Sequence, residues 1–188
     1  MRTDHCRMRI LLLAFILVPG LSAHSQKLPS PEEFVNAIYR TVVDTTVSHY
    51  FLVTGTDTCF FVKFEYDEWI KYSLKEPLPV NIMNELSEKV YLSRYPYYWR
   101  QPLLQKAICI TRHQADSIIA PGPPNHPRPL SERILYSFSL PQFTDDGKYA
   151  VIDLNVVCGT TCGKGLTCLF RRTSTGWKLI GRHVNWSS

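Results

Sequence analysis

The sequence has no apolar run long enough to cross a lipid bilayer. Its longest run, Ile10 to Val18, has nine residues, whereas a membrane-spanning helix needs about 20 apolar residues to cross the hydrocarbon core. We therefore expect no membrane span once the N-terminal segment described below is removed.

Concentrated positive charge is also missing. No run of five basic residues occurs, and the net charge is +5 for the full chain. Nucleic-acid-binding proteins usually carry a basic run or a strongly basic face. We therefore expect no nucleic-acid partner, and the charge is only a weak argument for an anionic one.

The usual signatures of catalysis are missing as well. There is no Gly-x-Ser-x-Gly segment of the kind that carries a hydrolase nucleophile. The acidic group at residues 65–68 is interpreted as a solvated strand end, since paired catalytic carboxylates are defined by their separation in space. The histidines beyond residue 25 share no metal-ligand spacing; they are His49, His113, His126 and His183. We expect no catalytic residue, metal or cofactor, and we favour a non-enzymatic binding or envelope-associated role. The alternatives are a small secreted hydrolase whose site is built from distant loops and a Cys/His metal-binding domain.

Residues 1–25 have the layout of a secretory signal peptide. Three arginines precede the apolar run, Pro19 and Gly20 end it, and Ala23-His24-Ser25 places small residues at the cleavage site. We expect cleavage after Ser25 and a periplasmic or secreted protein; the alternative is a buried N-terminal helix. The mature chain, residues 26–188, is long enough for one domain with its own hydrophobic core.

Three helices are predicted from caps and apolar spacing. Ser30-Pro31-Glu32-Glu33 forms a capping box with proline in the first turn, and the helix should end near Asp44. Residues 82–90 predict an amphipathic helix. Thr111 can cap a brief helix that continues to Ile118.

The remaining segments predict strands. Residues 48–54 and 59–66 are rich in aromatic and β-branched residues and predict a hairpin, while residues 107–110 predict a short strand. Short turns then join four strands into an antiparallel meander. These four strands are predicted at residues 133–140, 148–158, 166–172 and 177–186.

These elements predict a single α+β domain in which N-terminal helices pack on an antiparallel β-meander. Residues 121–129 contain five prolines in nine positions, so they form neither helix nor central strand and are interpreted as an internal surface loop. A cystatin-like or nuclear-transport-factor-like cone is the nearest analogy. Such folds include enzymes and binding domains alike.

The densest motif is Cys158-Gly-Thr-Thr-Cys162-Gly-Lys-Gly. Its glycine spacing and the strand that follows exclude a phosphate-binding loop. A thioredoxin-type site would need two residues between its cysteines and a helix after them. A zinc site could recruit His183, but no fourth ligand is evident.

We therefore interpret the motif as a disulfide-pinned hairpin loop. Exported chains meet an oxidising compartment, and glycines allow a tight closure. We favour a bond between Cys158 and Cys162. The alternative joins Cys158 to Cys168, which would lie opposite it if the hairpin centred on Gly163; in the favoured pairing, Cys168 belongs to the core.

An aromatic segment gives the best candidate for binding. Large rigid rings in a loop bind sugars, peptides and apolar groups, so the partner could be a carbohydrate, a peptide or an envelope component. The alternative is that the rings cover one end of the sheet. The candidate residues are Tyr95, Tyr97, Tyr98 and Trp99.

The C-terminal motifs resemble those of an uncharacterised family of exported Gram-negative bacterial proteins. The resemblance is carried, in order, by residues 143–150, the cysteine motif, Gly176-Trp177-Lys178 and Trp186-Ser187, and only faintly by residues 78–110. It implies export and a β-meander. It implies no established activity, so no catalytic residue is assigned from it.

Overall fold

The computed structural model describes residues 27–43, 50–55, 74–92, 97–126, 129, 133–159 and 161–188. The predictions for residues 1–25, for the strand at 59–66, for the acidic group at 65–68 and for His49 and Tyr95 lie outside these ranges. None of the helices in the described ranges is both long and apolar enough to cross a membrane.

The helices capped by Ser30 and Thr111 begin at the caps that the sequence predicts. Helix α1 spans Pro31–Val42, and its N-cap Ser30 exchanges two hydrogen bonds with Glu33: the Glu33 N–H donates to Ser30 Oγ (3.2 Å), and the Ser30 N–H donates to the Glu33 carboxylate (2.7 Å). Helix α2 spans Val80–Leu92. Helix α3 spans Arg112–Ile119 and has the same reciprocal cap between Thr111 and Gln114.

Seven strands form one mixed sheet in the described part of the chain. The sheet order is β2-β1-β3-β5-β6-β7, with β4 paired to β5. A short 3-10 helix, Gln101–Leu103, precedes β2. The strands are β1 (Tyr50–Val53), β2 (Ala107–Ile110), β3 (Ile134–Phe138), β4 (Gln142–Phe143), β5 (Tyr149–Cys158), β6 (Gly163–Thr173) and β7 (Gly176–Ser187).

The antiparallel meander is confirmed for β3, β5, β6 and β7, and Gly147 has the predicted positive φ in the turn before β5 (65°). The prediction of a wholly antiparallel sheet is wrong, because β1 pairs in parallel with β2 on one side and β3 on the other. Both edges of β1 are therefore occupied by these two strands. Parallel neighbours need long crossovers, and the chain supplies them through the segments that contain α2 and α3.

The two faces of the sheet are covered by different helices. Helix α1 packs on what we call the first face, where the Phe34 ring meets three aromatic rings edge-on at centroid distances of 5.0 to 5.6 Å. On the second face, α2 covers Val151, Leu169 and Ile180, and α3 covers Leu135. The part of the second face between these two apolar patches is polar.

Candidate ligand-binding surface

A row of polar side chains crosses the second face of the sheet. Asp153 on β5 lies opposite Thr167 on β6, which lies opposite His183 on β7. Asp153 and Thr167 are each only 1% exposed. Buried polar groups are stable only when their hydrogen bonds are made, so this row depends on its internal partners.

Hydrogen bonds connect the row into a network. The Thr167 hydroxyl donates to Asp153 Oδ1 at 2.5 Å, and the Asp153 backbone N–H donates to Ser139 Oγ at 2.9 Å. A hydroxyl has one proton to donate, so the Asn185 amide donates its own N–H to Thr167 Oγ1, at 3.0 Å. The buried carboxylate thereby orients Asn185 near the surface.

The indole of Trp186 lies beside this network over two glycines of the cysteine motif. A Cβ at Gly165 would lie 2.1 Å from Trp186 Nε1, and one at Gly163 would lie 2.8 Å from its ring carbons. The indole N–H donates to Asn155 Oδ1 at 3.2 Å. Trp186 nevertheless remains 40% exposed, so its ring is held in place and still accessible. We call this ring with its two glycines the indole shelf.

The cysteine motif itself forms the predicted loop at the tip of the β5–β6 hairpin. Cys158 and Cys162 are joined by a disulfide with a Cα–Cα distance of 5.0 Å, and the loop glycine Gly159 has a φ of 81°. Cys168 instead lies opposite Ile152 in the register of β5 and β6, and it is fully buried. The alternative bond between Cys158 and Cys168 is therefore excluded.

The role predicted for Gly163 needs correction. The motif predicts that its glycines, Gly163 included, help the chain turn tightly, yet Gly163 belongs to β6 and is not among the described glycines with positive φ. Its lack of a side chain makes room for Trp186, and Gly165 has the same function. Only Gly159 has the conformational role that the motif suggested.

The predicted aromatic cluster is divided by the structure. Trp99 is only 3% exposed and packs edge-on against Phe138, at a centroid distance of 6.2 Å. Tyr97 is half-buried, and its hydroxyl donates to Glu32 at 2.6 Å. Tyr98 is 66% exposed. Successive residues of an extended segment point to opposite sides, so Trp99 belongs to the core and not to a common binding surface.

The metal hypothesis has no support in the geometry of the described ranges. They contain no group of three His, Cys, Asp or Glu side chains placed to hold a metal ion. Cys158 and Cys162 are bonded to each other, so neither is a thiolate ligand in this form.

Sequence reasoning missed the residues of this surface. A usable signal was present at Asp153, because a carboxylate in the middle of an apolar strand is rare unless it is paired. The position of Trp186 had no such local signal, since the ring contacts glycines more than twenty residues earlier in the chain.

Comparison with known proteins adds no relative: no family model, no curated protein and no solved structure matches the chain.

Proposed function

We propose that this chain is an exported, non-catalytic binding domain and that its ligand contacts the second face of the sheet at the indole shelf. The observation that carries this proposal is that the Trp186 ring is fixed by Gly163, Gly165 and Asn155, while the residue as a whole remains 40% exposed. A ring that is already fixed loses little conformational entropy when a ligand packs on it.

Export is supported by two independent features. The first 25 residues have the order of charge, apolar run and small residues that export requires. The pair Cys158 and Cys162 is positioned as a disulfide, a bond that persists in oxidising compartments. Both agree with a periplasmic or secreted protein of the Gram-negative envelope, as the C-terminal resemblance implied.

The fold analogy belongs to the same proposal. In a cystatin-like or nuclear-transport-factor-like cone, a curved antiparallel sheet wraps around a helix, and the packing of Phe34 in α1 against β6 and β7 supports this comparison. Helices α2 and α3 on the second face would be additions to that plan.

A hydrolase is the second candidate, because the register aligns Asp153, Thr167 and His183 on three adjacent strands. A nucleophilic hydroxyl is activated by a base that removes its proton. Here the Thr167 hydroxyl donates its proton to Asp153 and is 1% exposed. The hydrogen bond to Asp153 is the contact that a base would make, but the burial of Thr167 keeps a substrate away from its hydroxyl. This burial favours a structural role for the row and a binding role for the surface above it.

Export is tested by expressing the full chain in a Gram-negative host and measuring the mass of the protein in each cell fraction. We expect a periplasmic or secreted species that begins at Gln26. A chain that keeps residues 1–25 and stays in the cytoplasm would contradict the localisation.

Binding is tested by co-sedimenting the mature protein with purified envelopes from the same host. We expect Trp186→Ala to reduce the bound fraction strongly. Val184→Ala is the matched control, since Val184 is 46% exposed on the same strand but lies opposite Leu166, whose side chain joins the core of the first face. Turnover of ester, peptide or glycoside substrates that is lost in Asp153→Asn would instead favour the hydrolase.

A further inference from the structure

We propose that the indole shelf is a saccharide subsite that takes one face of a neutral pyranose ring within a glycan. This inference rests on the proposed binding function and specifies its ligand. It is carried by the combination of an exposed flat ring with uncharged amide side chains beside it.

The chemistry of a pyranose matches this combination. One face of the sugar ring presents mainly C–H groups, which gain free energy when they pack on an aromatic surface and leave water. The rim of the ring carries hydroxyls, each of which donates and accepts. A side-chain amide offers both a donor and an acceptor, so amides at the edge of the indole suit the hydroxyls of the same sugar.

The sheet register places two amides around the shelf. Asn155 on β5 lies opposite Gly165 on β6, which lies opposite Trp186 on β7. The indole lies over Gly165, and its N–H reaches Asn155. Asn185 precedes Trp186 in the chain, and its side-chain amide donates a hydrogen bond to Thr167 Oγ1. The distance from β5 to β7 is two strand spacings, about 10 Å, which is wide enough for one sugar ring.

The three side chains at the shelf favour a neutral sugar. Trp186, Asn155 and Asn185 are uncharged. The carboxylate of the row, Asp153, is 1% exposed and bonded to Thr167. A sulfated or carboxylated sugar would lose water from its charged group without gaining a partner of opposite charge in these three residues.

A peptide strand is a less suitable ligand. An extended peptide adds to a regular, open sheet edge, and β7 lies at one of the two edges of the described sheet. Its pairing with β6 is interrupted at Gly165/Leu166 and at Leu169/Phe170, and Leu74 already forms a bridge with Gly181. Bulges of this kind discourage strand addition.

The test probes the mature protein with immobilised linear hexamers of glucose, mannose and N-acetylglucosamine, together with carboxylated and sulfated oligosaccharides. We expect binding to at least one neutral hexamer. By titration calorimetry, Trp186→Ala should weaken that binding about tenfold or more. Trp186→Tyr should retain part of it, Asn155→Ala should weaken it, and Val184→Ala should leave it unchanged.

The outcomes separate this inference from the proposed function. If no neutral hexamer binds while envelope binding still depends on Trp186 and is abolished by protease treatment of the envelopes, the ligand is a protein and the saccharide inference is wrong. If only charged sugars bind, the neutral class is wrong. If nothing binds in a Trp186-dependent way, both proposals fail. Should Trp186→Ala unfold, as judged by circular dichroism, Trp186→Tyr and Asn155→Ala decide the result.

Discussion

Glu32 and Arg100 form a two-point ion pair that joins the first turn of α1 to the segment before the 3-10 helix. Arg100 Nε and Nη2 donate to the two carboxylate oxygens at 2.9 and 3.0 Å, and Tyr97 donates to one of them. The pair is asymmetric: the Glu32 side chain is 1% exposed, whereas that of Arg100 is 58% exposed. Only the carboxylate has been withdrawn from water.

This asymmetry predicts that replacing Arg100 and replacing Glu32 lower the free energy of unfolding by different amounts. Arg100→Met leaves a buried carboxylate without its cation and should lower the free energy of unfolding by about 2–3 kcal/mol. This loss is smaller than that for fully buried ion pairs, because the Arg100 side chain is partly in solvent. Glu32→Gln leaves only an exposed guanidinium and should cost less. Urea unfolding of both variants measures the difference, and a larger loss for Glu32→Gln would contradict it.

The same pair predicts acid sensitivity. Burial by itself raises the pKa of Glu32, but hydrogen bonds from Arg100 and Tyr97 outweigh it and lower the pKa from 4.5 to about 2. The stabilisation is therefore complete above pH 4.5 and is lost as the pH falls toward 2.

Urea unfolding between pH 5 and pH 2 checks this expectation. Stability should fall less steeply in Glu32→Gln than in the unmodified protein. Glu88→Gln is the control, because Glu88 is exposed on α2, and its pH profile should match that of the unmodified protein. Identical profiles for all three proteins would show that Glu32 does not control acid stability.

Gly165→Ala should displace the indole of Trp186. The added Cβ would lie 2.1 Å from Trp186 Nε1, so the ring must leave its position and its hydrogen bond to Asn155. We expect altered tryptophan fluorescence and weaker binding to the envelope or glycan probe. Gly55→Ala is the control, because its Cβ would meet only Tyr98, at 4.0 Å. Unchanged fluorescence in Gly165→Ala would contradict the shelf geometry.

Loss of the disulfide should have a small effect on stability. The bond between Cys158 and Cys162 closes a loop with a sequence separation of four residues, and a short loop restricts the unfolded chain little, so we expect a cost of about 1–2 kcal/mol. Peptide mapping without reduction should find the two cysteines joined. Unfolding of a double serine variant measures the cost, and two free thiols in exported protein would contradict the pairing.

Gln101 closes the outer edge of β2 with its side chain. Its amide donates to the Ala107 carbonyl at 2.6 Å and accepts from the Cys109 N–H at 2.5 Å, as a neighbouring strand would. Gln101→Ala should open this edge and promote association, seen as a concentration-dependent rise in mass by light scattering. Gln105→Ala is the control, since Gln105 is exposed and its hydrogen bond to Asn36 uses the backbone N–H. A monomeric Gln101→Ala would contradict the role.

Structural features that depend on interactions between residues close together in the chain could be predicted from the sequence. The caps of α1 and α3, the positive φ of Gly147 and the loop from Cys158 to Cys162 were all predicted. Each depends on hydrogen bonds or backbone angles within about five residues, where residue type restricts the possible conformations directly.

Only the tertiary structure decided the parallel pairing of β1 with β2 and β3, the burial of Trp99 beside the exposed Tyr98, and the position of Trp186 over Gly165. These contacts join residues far apart in the chain. Aromatic and glycine residues are compatible with several such partners, so their residue types do not select one. The selection comes from the simultaneous packing of helices on both faces of the sheet, in which each ring takes the place that its neighbours leave open.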